Sequence, residues 1–159
     1  MRTSAQAEYR KGKFTVSTDR ARLDLDVIHD YLKDSYWAQG IPRAVLARSF
    51  KHSLCFGLYR RGKQVGFARV VSDFATYAYL GDVFVLDAFR GLGLGTWLIE
   101  CALRDPRLQG LRRWSLVTRD AHGLYSQFGF TPLKSPERWM EIHNPNVYKL
   151  RVRESESKP

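Results

Sequence analysis

The segment that most restricts how this chain can fold is Arg90-Gly-Leu-Gly-Leu-Gly95. Its three alternating glycines stand between the almost continuously apolar run Tyr79-Leu-Gly-Asp-Val-Phe-Val-Leu86 and an amphipathic stretch. The apolar run suits a central strand covered on both faces. In the stretch that follows, Leu94, Trp97, Leu98, Cys101 and Ala102 recur at helical spacing and form one core-facing stripe, which Pro106 ends. The glycines therefore sit where a buried strand turns into a helix. Without a Cβ the backbone can turn sharply there and lie close to a ligand. The first amides of a helix lack partners within it and lie at its positive end, an arrangement suited to a diphosphate.

The rest of the chain reads as a mixed α/β domain. Phe14-Thr-Val-Ser is a short first strand, and Thr18 or Asp19 can cap a helix carrying Leu23, Val27, Ile28, Tyr31 and Leu32. Ser35 to Ile41 breaks that helix, and Pro42 opens a second with Val45, Leu46 and Phe50. Strands near 54–60 and 64–72 follow, joined by the turn Arg61-Gly62-Lys63. After the glycine run and its helix, Trp114–Thr118 is a further strand. Ala121–Phe128 is a short helix closed by Gly129. Strands near 130–134 and 138–143 are expected next, with Val147–Leu150 as an edge. Antiparallel strands followed by a strand–helix–strand crossover imply a mixed, mostly antiparallel sheet of six to seven strands with helices on both faces. Residues 1–13 read as a mobile basic arm, 14–150 as one domain and 151–159 as a polar tail.

Three phosphate-binding patterns compete for the glycines. Gly57-Leu-Tyr-Arg-Arg-Gly62-Lys63 nearly spells a Walker A loop, but Gln64 stands where Ser or Thr should bind magnesium, and the segment joins strand to strand. Gly91, Gly93 and Gly95 give GxGxG rather than the dinucleotide GxGxxG, and the chain offers a single crossover where two mononucleotide-binding halves are needed. The third pattern fits. Arg90-x-x-Gly93-x-Gly95 resembles the acetyl-CoA loop of the GCN5-related N-acetyltransferase (GNAT) superfamily, and Ala121-His-Gly-Leu-Tyr125-Ser-Gln-Phe-Gly129-Phe130 resembles that family's Ala-x-x-Leu-Tyr-x-x-x-Gly-Phe signature. The likeness is tight over 79–103 and 118–131, and extends in architecture over about 14–143.

That resemblance implies a central parallel pair of strands that splay apart around the cofactor. The amides of Arg90, Gly91, Leu92, Gly93, Leu94, Gly95 and Thr96 would hold the CoA diphosphate, with Phe84 and Val85 pairing through their backbone with the pantetheine arm. Tyr125 matches the tyrosine beside the sulfur, which can protonate the departing thiolate; a phenol near 10 and a thiol near 8.5 are close enough in pKa for that transfer. Thr118 stands where many relatives carry a cofactor-contacting asparagine, and Tyr31, Tyr36, Trp37 and Tyr79 fall at the acceptor side. An alkylamine of pKa about 10.4 must lose a proton before attack, at a cost of roughly 4–5 kcal/mol at pH 7. Asp82, a carboxylate within an apolar strand, is the candidate base; buried carboxylates are costly unless paired, so a structural ion pair is its other reading. His122, in the first turn of its helix, is expected at the surface or at the cofactor. Relatives that acetylate polyamines carry Glu where this chain has Gly81.

The implied reaction is direct, metal-free transfer of acetyl from acetyl-CoA to a primary amine. A small-molecule acceptor is preferred over a protein amine, and relatives are often homodimers. The alternatives are a non-catalytic acyl-CoA sensor and a nucleic-acid binder. Lys plus Arg number 26 against 16 acidic residues, which suits anionic partners. The excess is spread along the chain, although Arg104, Arg107, Arg112, Arg113 and Arg119 could form a patch. That spread speaks against nucleic acid as the main partner. No run reaches the ~18 apolar residues of a membrane helix. Nor does the amino-terminal stretch resemble an export signal, so a cytoplasmic location is expected. Cys55 and Cys101 cannot build a disulfide framework and read as buried thiols.

Overall fold

A computed structural model describes residues 6–149. Six strands lie side by side in chain order: β1 (Glu8–Lys11), β2 (Phe14–Ser17), β3 (Leu54–Arg60), β4 (Lys63–Ser72), β5 (Tyr77–Val85) and β6 (Arg113–Ser115). Every neighbouring pair is antiparallel except β5 and β6, which run parallel. Helices α1 (Leu25–Leu32) and α2 (Arg43–Lys51) pack on one face. Helix α3 (Leu94–Arg104) packs on the other, and the short α4 (His122–Ser126) follows β6. This is the mixed, mostly antiparallel sheet expected from the sequence.

Each face buries its own apolar cluster. Ile28, Leu32, Leu46 and Phe50 meet Cys55, Phe67 and Phe84 under α1 and α2. On the opposite face Leu94, Leu98, Ile99 and Cys101 meet Phe56, Leu58, Val70, Ala78 and Leu80. Strand β5 changes sides partway along. Arg69 pairs with Gly81 and Phe67 with Phe84, so Asp82 and Val83 together oppose Ala68 in a bulge. Asp82 takes the left-handed backbone (φ +54) that the extra residue imposes. Side chains alternate along a strand, and the inserted residue reverses the phase. Ala78 and Leu80 therefore face α3 before the bulge, whereas Val85 faces it afterwards and Phe84 turns to α1.

Three sequence expectations are corrected. The basic arm is in part a strand: β1 pairs with β2 through Tyr9↔Val16 and Arg10↔Thr15, and Thr18 closes the ladder by accepting the Ala7 amide at 2.8 Å. Its charges misled because Glu8 sits beside Arg10 and Arg22. The strand expected over 114–118 is confined to Arg113–Ser115. No strand forms at 130–134 or 138–143, and 147–149 is a helical turn rather than an edge; Leu150, the expected 151–159 tail and residues 1–5 of the arm lie outside the described residues. An apolar alternation marks a potential strand, but a ladder needs a neighbour's donors and acceptors, and Pro132 and Pro136 supply no N–H.

The two thiols are buried and not bonded to each other. Burial, the largest influence on each, pushes the Cys55 thiol up to about 12 and the Cys101 thiol up to about 11. Burial does the same to the Tyr59 phenol, which reaches about 12. Each group thus keeps its proton in the folded chain at a pH where the unfolded chain has lost it. The stability this gives is complete below the ordinary values of 9.0 and 10.0, and is lost as pH rises toward 11–12. The loss approaches about 1.4 kcal/mol per pH unit for each group. Urea denaturation should accordingly show a midpoint that falls steeply above about pH 9, and Cys55→Ala should remove part of that slope.

Candidate active site

The parallel ladder between β5 and β6 is short. It joins Tyr77↔Arg113, Ala78↔Trp114 and Tyr79↔Ser115, and the Tyr77 and Ser115 hydroxyls meet across it. Beyond Ser115 strand β6 ends while β5 continues to Val85, so the two chains part and leave a slot. The main-chain groups bordering it follow from strand period. Leu86 N–H donates to Val65 at 2.8 Å, toward β4, so the Phe84 groups face β4 as well and those of Val83 and Val85 face the slot. The Val85 carbonyl there accepts from Arg90 Nε at 3.2 Å. Phe84 consequently lends a ring to the core rather than a backbone pair, a correction that follows from the bulge.

The glycine run closes one end of the slot. Gly91 (φ +79) and Gly93 (φ +73) hold left-handed backbone that other residues adopt at a cost of about 1–2 kcal/mol. Gly93 precedes α3 without a side-chain cap, and the first amide used inside the helix is that of Trp97, bonded to Gly93 at 3.1 Å. The amides of Leu94, Gly95 and Thr96 therefore point out of the helix end. Gly95 differs from its two companions: its φ is ordinary, and a Cβ there would meet only Val85 Cγ2, at 3.9 Å. Folding does not require glycine at this position. Leu92 is exposed at the loop tip, while Leu94 is buried as the first core residue of α3.

Aromatic side chains line the other end. Tyr125, on α4, has no hydrogen-bond partner for its hydroxyl among the described residues, and its ring stands edge-on to Phe130 at 6.0 Å. Burial, then the neighbouring Tyr36 and Tyr79, pushes this phenol up to about 12, so it carries its proton throughout the neutral range. Tyr36 and Trp37 lie edge to face in the loop between α1 and α2. Tyr36 reaches across the slot: its hydroxyl accepts the Arg119 amide at 3.0 Å, and the Arg119 guanidinium lies 4.0 Å from its ring. Asp82 receives Trp37 Nε1 on Oδ1 at 3.0 Å and Arg69 Nε on Oδ2 at 2.7 Å. Arg69 is in turn tied to Ser53 Oγ at 3.0 Å. Burial and Asp82 both raise the Tyr79 phenol above its ordinary value.

Tyr36, Trp37, Tyr79, Asp82 and Tyr125 thus lie near one another, Trp37 bonded to Asp82 and packed on Tyr36, and Tyr36 and Tyr79 both acting on Tyr125. Tyr31 stands apart, stacked on Phe84 at 4.1 Å with its hydroxyl accepting from Arg90 Nη2 at 2.8 Å, beneath the glycine loop. Thr118 spends its hydroxyl on the Ala121 amide at 3.0 Å, at the start of α4. His122 is exposed. Among the described residues no three metal-ligating side chains gather, and no helix is long and apolar enough to cross a membrane.

Residues 51–132 match the acetyltransferase (GNAT) domain. A protein of Gibberella zeae, provisionally classed as an acetyltransferase, is 32% identical and is covered over 79% of its length by 75% of this chain. The chain belongs to the GNAT acetyltransferase family.

Among GNAT structures, one from Xanthomonas campestris pv. campestris is 52% identical with a TM-score of 0.83, over 85% of this chain and 96% of that one. An acetyltransferase from Clostridium acetobutylicum, solved with acetyl-CoA, is 14% identical with a TM-score of 0.59, over 87% and 95% of the two chains, and shares the fold. Within this GNAT domain three residues of the slot escape a reading of the sequence. Arg69 could have been noticed as a cation inside the apolar strand Phe67–Val71. Val83 depends on the bulge, and Arg119 on the turn that brings it to Tyr36; neither leaves a signature in the local pattern.

Proposed function

We propose that this GNAT domain transfers acetyl from acetyl-CoA to a primary amine, with a small-molecule acceptor preferred. The observation that carries this reading is the pairing, at one slot, of outward helix amides at the glycine loop with the proton-bearing, unpartnered hydroxyl of Tyr125. The amides suit a diphosphate. The slot-facing groups of Val83 and Val85 suit the amide-rich pantetheine arm, with the Arg90 side chain releasing the Val85 carbonyl as the arm enters. The thioester then lies between those groups and Tyr125.

The amine nitrogen attacks the thioester carbon, the C–S bond breaks, and the sulfur leaves as thiolate. Tyr125 hydrogen-bonds that thiolate and supplies its proton. The proton lost by the amine goes to Asp82, whose carboxylate offers about four lone-pair sites and spends two on Arg69 and Trp37. Trp37 and Tyr36 form the acceptor wall. A Cβ at Gly81 would stand 3.1 Å from Tyr79 Cε1, so that ring occupies the space beside residue 81. The acceptor chamber is therefore walled by rings, with Asp82 already paired to Arg69. An aromatic or otherwise apolar monoamine suits it better than a polyamine.

Thiol release from acetyl-CoA across a panel of amines tests the reaction; binding without release for every amine would turn the reading to a sensor. Gly95→Ala tests the cofactor's seat. The fold has room for the methyl group, and alanine favours the helix, so thermal stability should hold or rise. Calorimetry should nevertheless record acetyl-CoA binding at least about tenfold weaker, or 1.4 kcal/mol, because the methyl stands where the diphosphate meets the helix end. Unchanged affinity would move the diphosphate elsewhere.

A further inference from the structure

The sheet gathers at one end cations that the sequence scatters. Lys11 pairs with Phe14 at the β1–β2 turn, Phe14 with Arg60 across to β3, and Arg60 with Lys63 at the β3–β4 turn, so the two hairpins turn side by side. Lys11, Lys13, Arg60, Arg61 and Lys63 therefore stand together. None of the five makes an ion pair among the described residues. Gly66 opposite Val85 brings the end of β5, and the glycine loop after it, to the same end of the sheet.

Between the turns and that loop lies a pocket of about 350 Å³. Lys11, Lys13 and Arg60 supply its charge, Phe14, Phe89 and Leu92 its apolar wall, and no carboxylate lines it. Asp87, just before this stretch of the wall, is already paired with Arg90 at 3.1 Å. The Phe14 and Phe89 rings meet edge to face with centroids 6.3 Å apart, and the Arg60 guanidinium lies 5.8 Å from the Phe89 centroid. Arg60 Nε is buried and finds no acceptor among the described residues. Leu92 leaves an apolar side chain 61% exposed. The slot opens on the β6 side of β5, whereas this pocket lies on the side of β1 and β2.

We propose that the pocket is a second ligand site, taking a small phosphate monoester that ends in a flat ring, an aryl or nucleoside monophosphate. A phosphate monoester carries a charge of about −1.5 to −2 near neutrality and three acceptor oxygens, which suits three cations that lack an anion. It relieves the repulsion among the hairpin cations and gives the Arg60 guanidinium the acceptor it lacks. The ring packs on Phe14 and Phe89 and covers Leu92. The volume is at the low end of the roughly 300–1,000 Å³ of small-molecule sites, so it selects a single ring system rather than a macromolecule. This site is independent of the chemistry at the slot.

Titration of the full chain with phenyl phosphate, followed by NMR, should move the amides of Gly12, Lys13, Phe89 and Leu92 with a dissociation constant of about 1 mM or tighter. Inorganic phosphate, which lacks the ring, and benzyl alcohol, which lacks the charge, should each bind at least about tenfold more weakly. Lys11 and Lys13 are exposed, so Lys11→Gln with Lys13→Gln should keep the melting temperature and weaken phenyl phosphate at least about tenfold. Binding should persist when acetyl-CoA is present in excess. A titration that moves none of these amides would overturn the proposal, as would a double variant of unchanged affinity. Inorganic phosphate binding as tightly would leave an adventitious ion only. Displacement by acetyl-CoA would give the pocket to the cofactor's own nucleotide end. An oligonucleotide that binds these cations where phenyl phosphate does not would replace the small ligand with nucleic acid. Each of these three results also overturns the proposal.

Discussion

Replacing Tyr125 with phenylalanine lowers kcat by about 10²-fold or more, within the range general acids contribute, and leaves acetyl-CoA affinity within a factor of about three. The split is the informative part. The hydroxyl bonds no group among the described residues, so its removal orphans no donor or acceptor there and the ring keeps its place against Phe130. Thermal stability should consequently be almost unchanged, and lost turnover can be assigned to the thiolate rather than to the fold. Stopped-flow thiol release beside calorimetry separates the two. A variant with wild-type turnover would remove the acid role from Tyr125.

Asp82→Ala has the larger effect on stability, a loss of about 3 kcal/mol or more. It leaves the Arg69 guanidinium, whose side chain is 21% exposed, without its anion, and breaking a buried pair costs about 3–5 kcal/mol. For a chain of this length about 3 kcal/mol corresponds to a melting point roughly 6–12 °C lower. Alanine also suits the left-handed bulge poorly. Asparagine tolerates that backbone and can still accept from Trp37, so Asp82→Asn isolates the charge. If Asp82 receives the amine's proton, the rising limb of the pH–rate profile disappears in Asp82→Asn. If it only anchors Trp37, the acceptor KM rises and the profile keeps its shape.

The centre of the molecule was legible because its demands are local. A buried strand, glycines at a helix start and a stripe of Leu94, Leu98 and Cys101 specify a strand–turn–helix unit wherever they occur. The helical spacing of Ile28 and Leu32 likewise marks α1. Tyr125 and the glycine loop were legible by resemblance. What escaped depends on partners remote in sequence. The strand at Glu8–Lys11 exists because β2 is there to receive it, and the expected strands after Gly129 do not form because no strand among the described residues pairs with them. Arg69 acquires meaning only once Asp82 is seen across the ladder, and Tyr31 leaves the acceptor group because Phe84 and Arg90 claim both its face and its hydroxyl.

The extra residue at Asp82–Val83 makes this stretch intolerant of length change in a way that substitution is not. Deleting one residue there would restore simple alternation, carry Phe84 to the α3 side and Val85 to the α1 side, and turn the Val85 carbonyl, which now accepts from Arg90 beside the glycine loop, back into the sheet. Descendants of this sequence can exchange side chains along β5 freely within size and polarity. A frame-preserving loss or gain of a single codon, by contrast, would invert the strand beyond it and separate the glycine loop from the slot beside it.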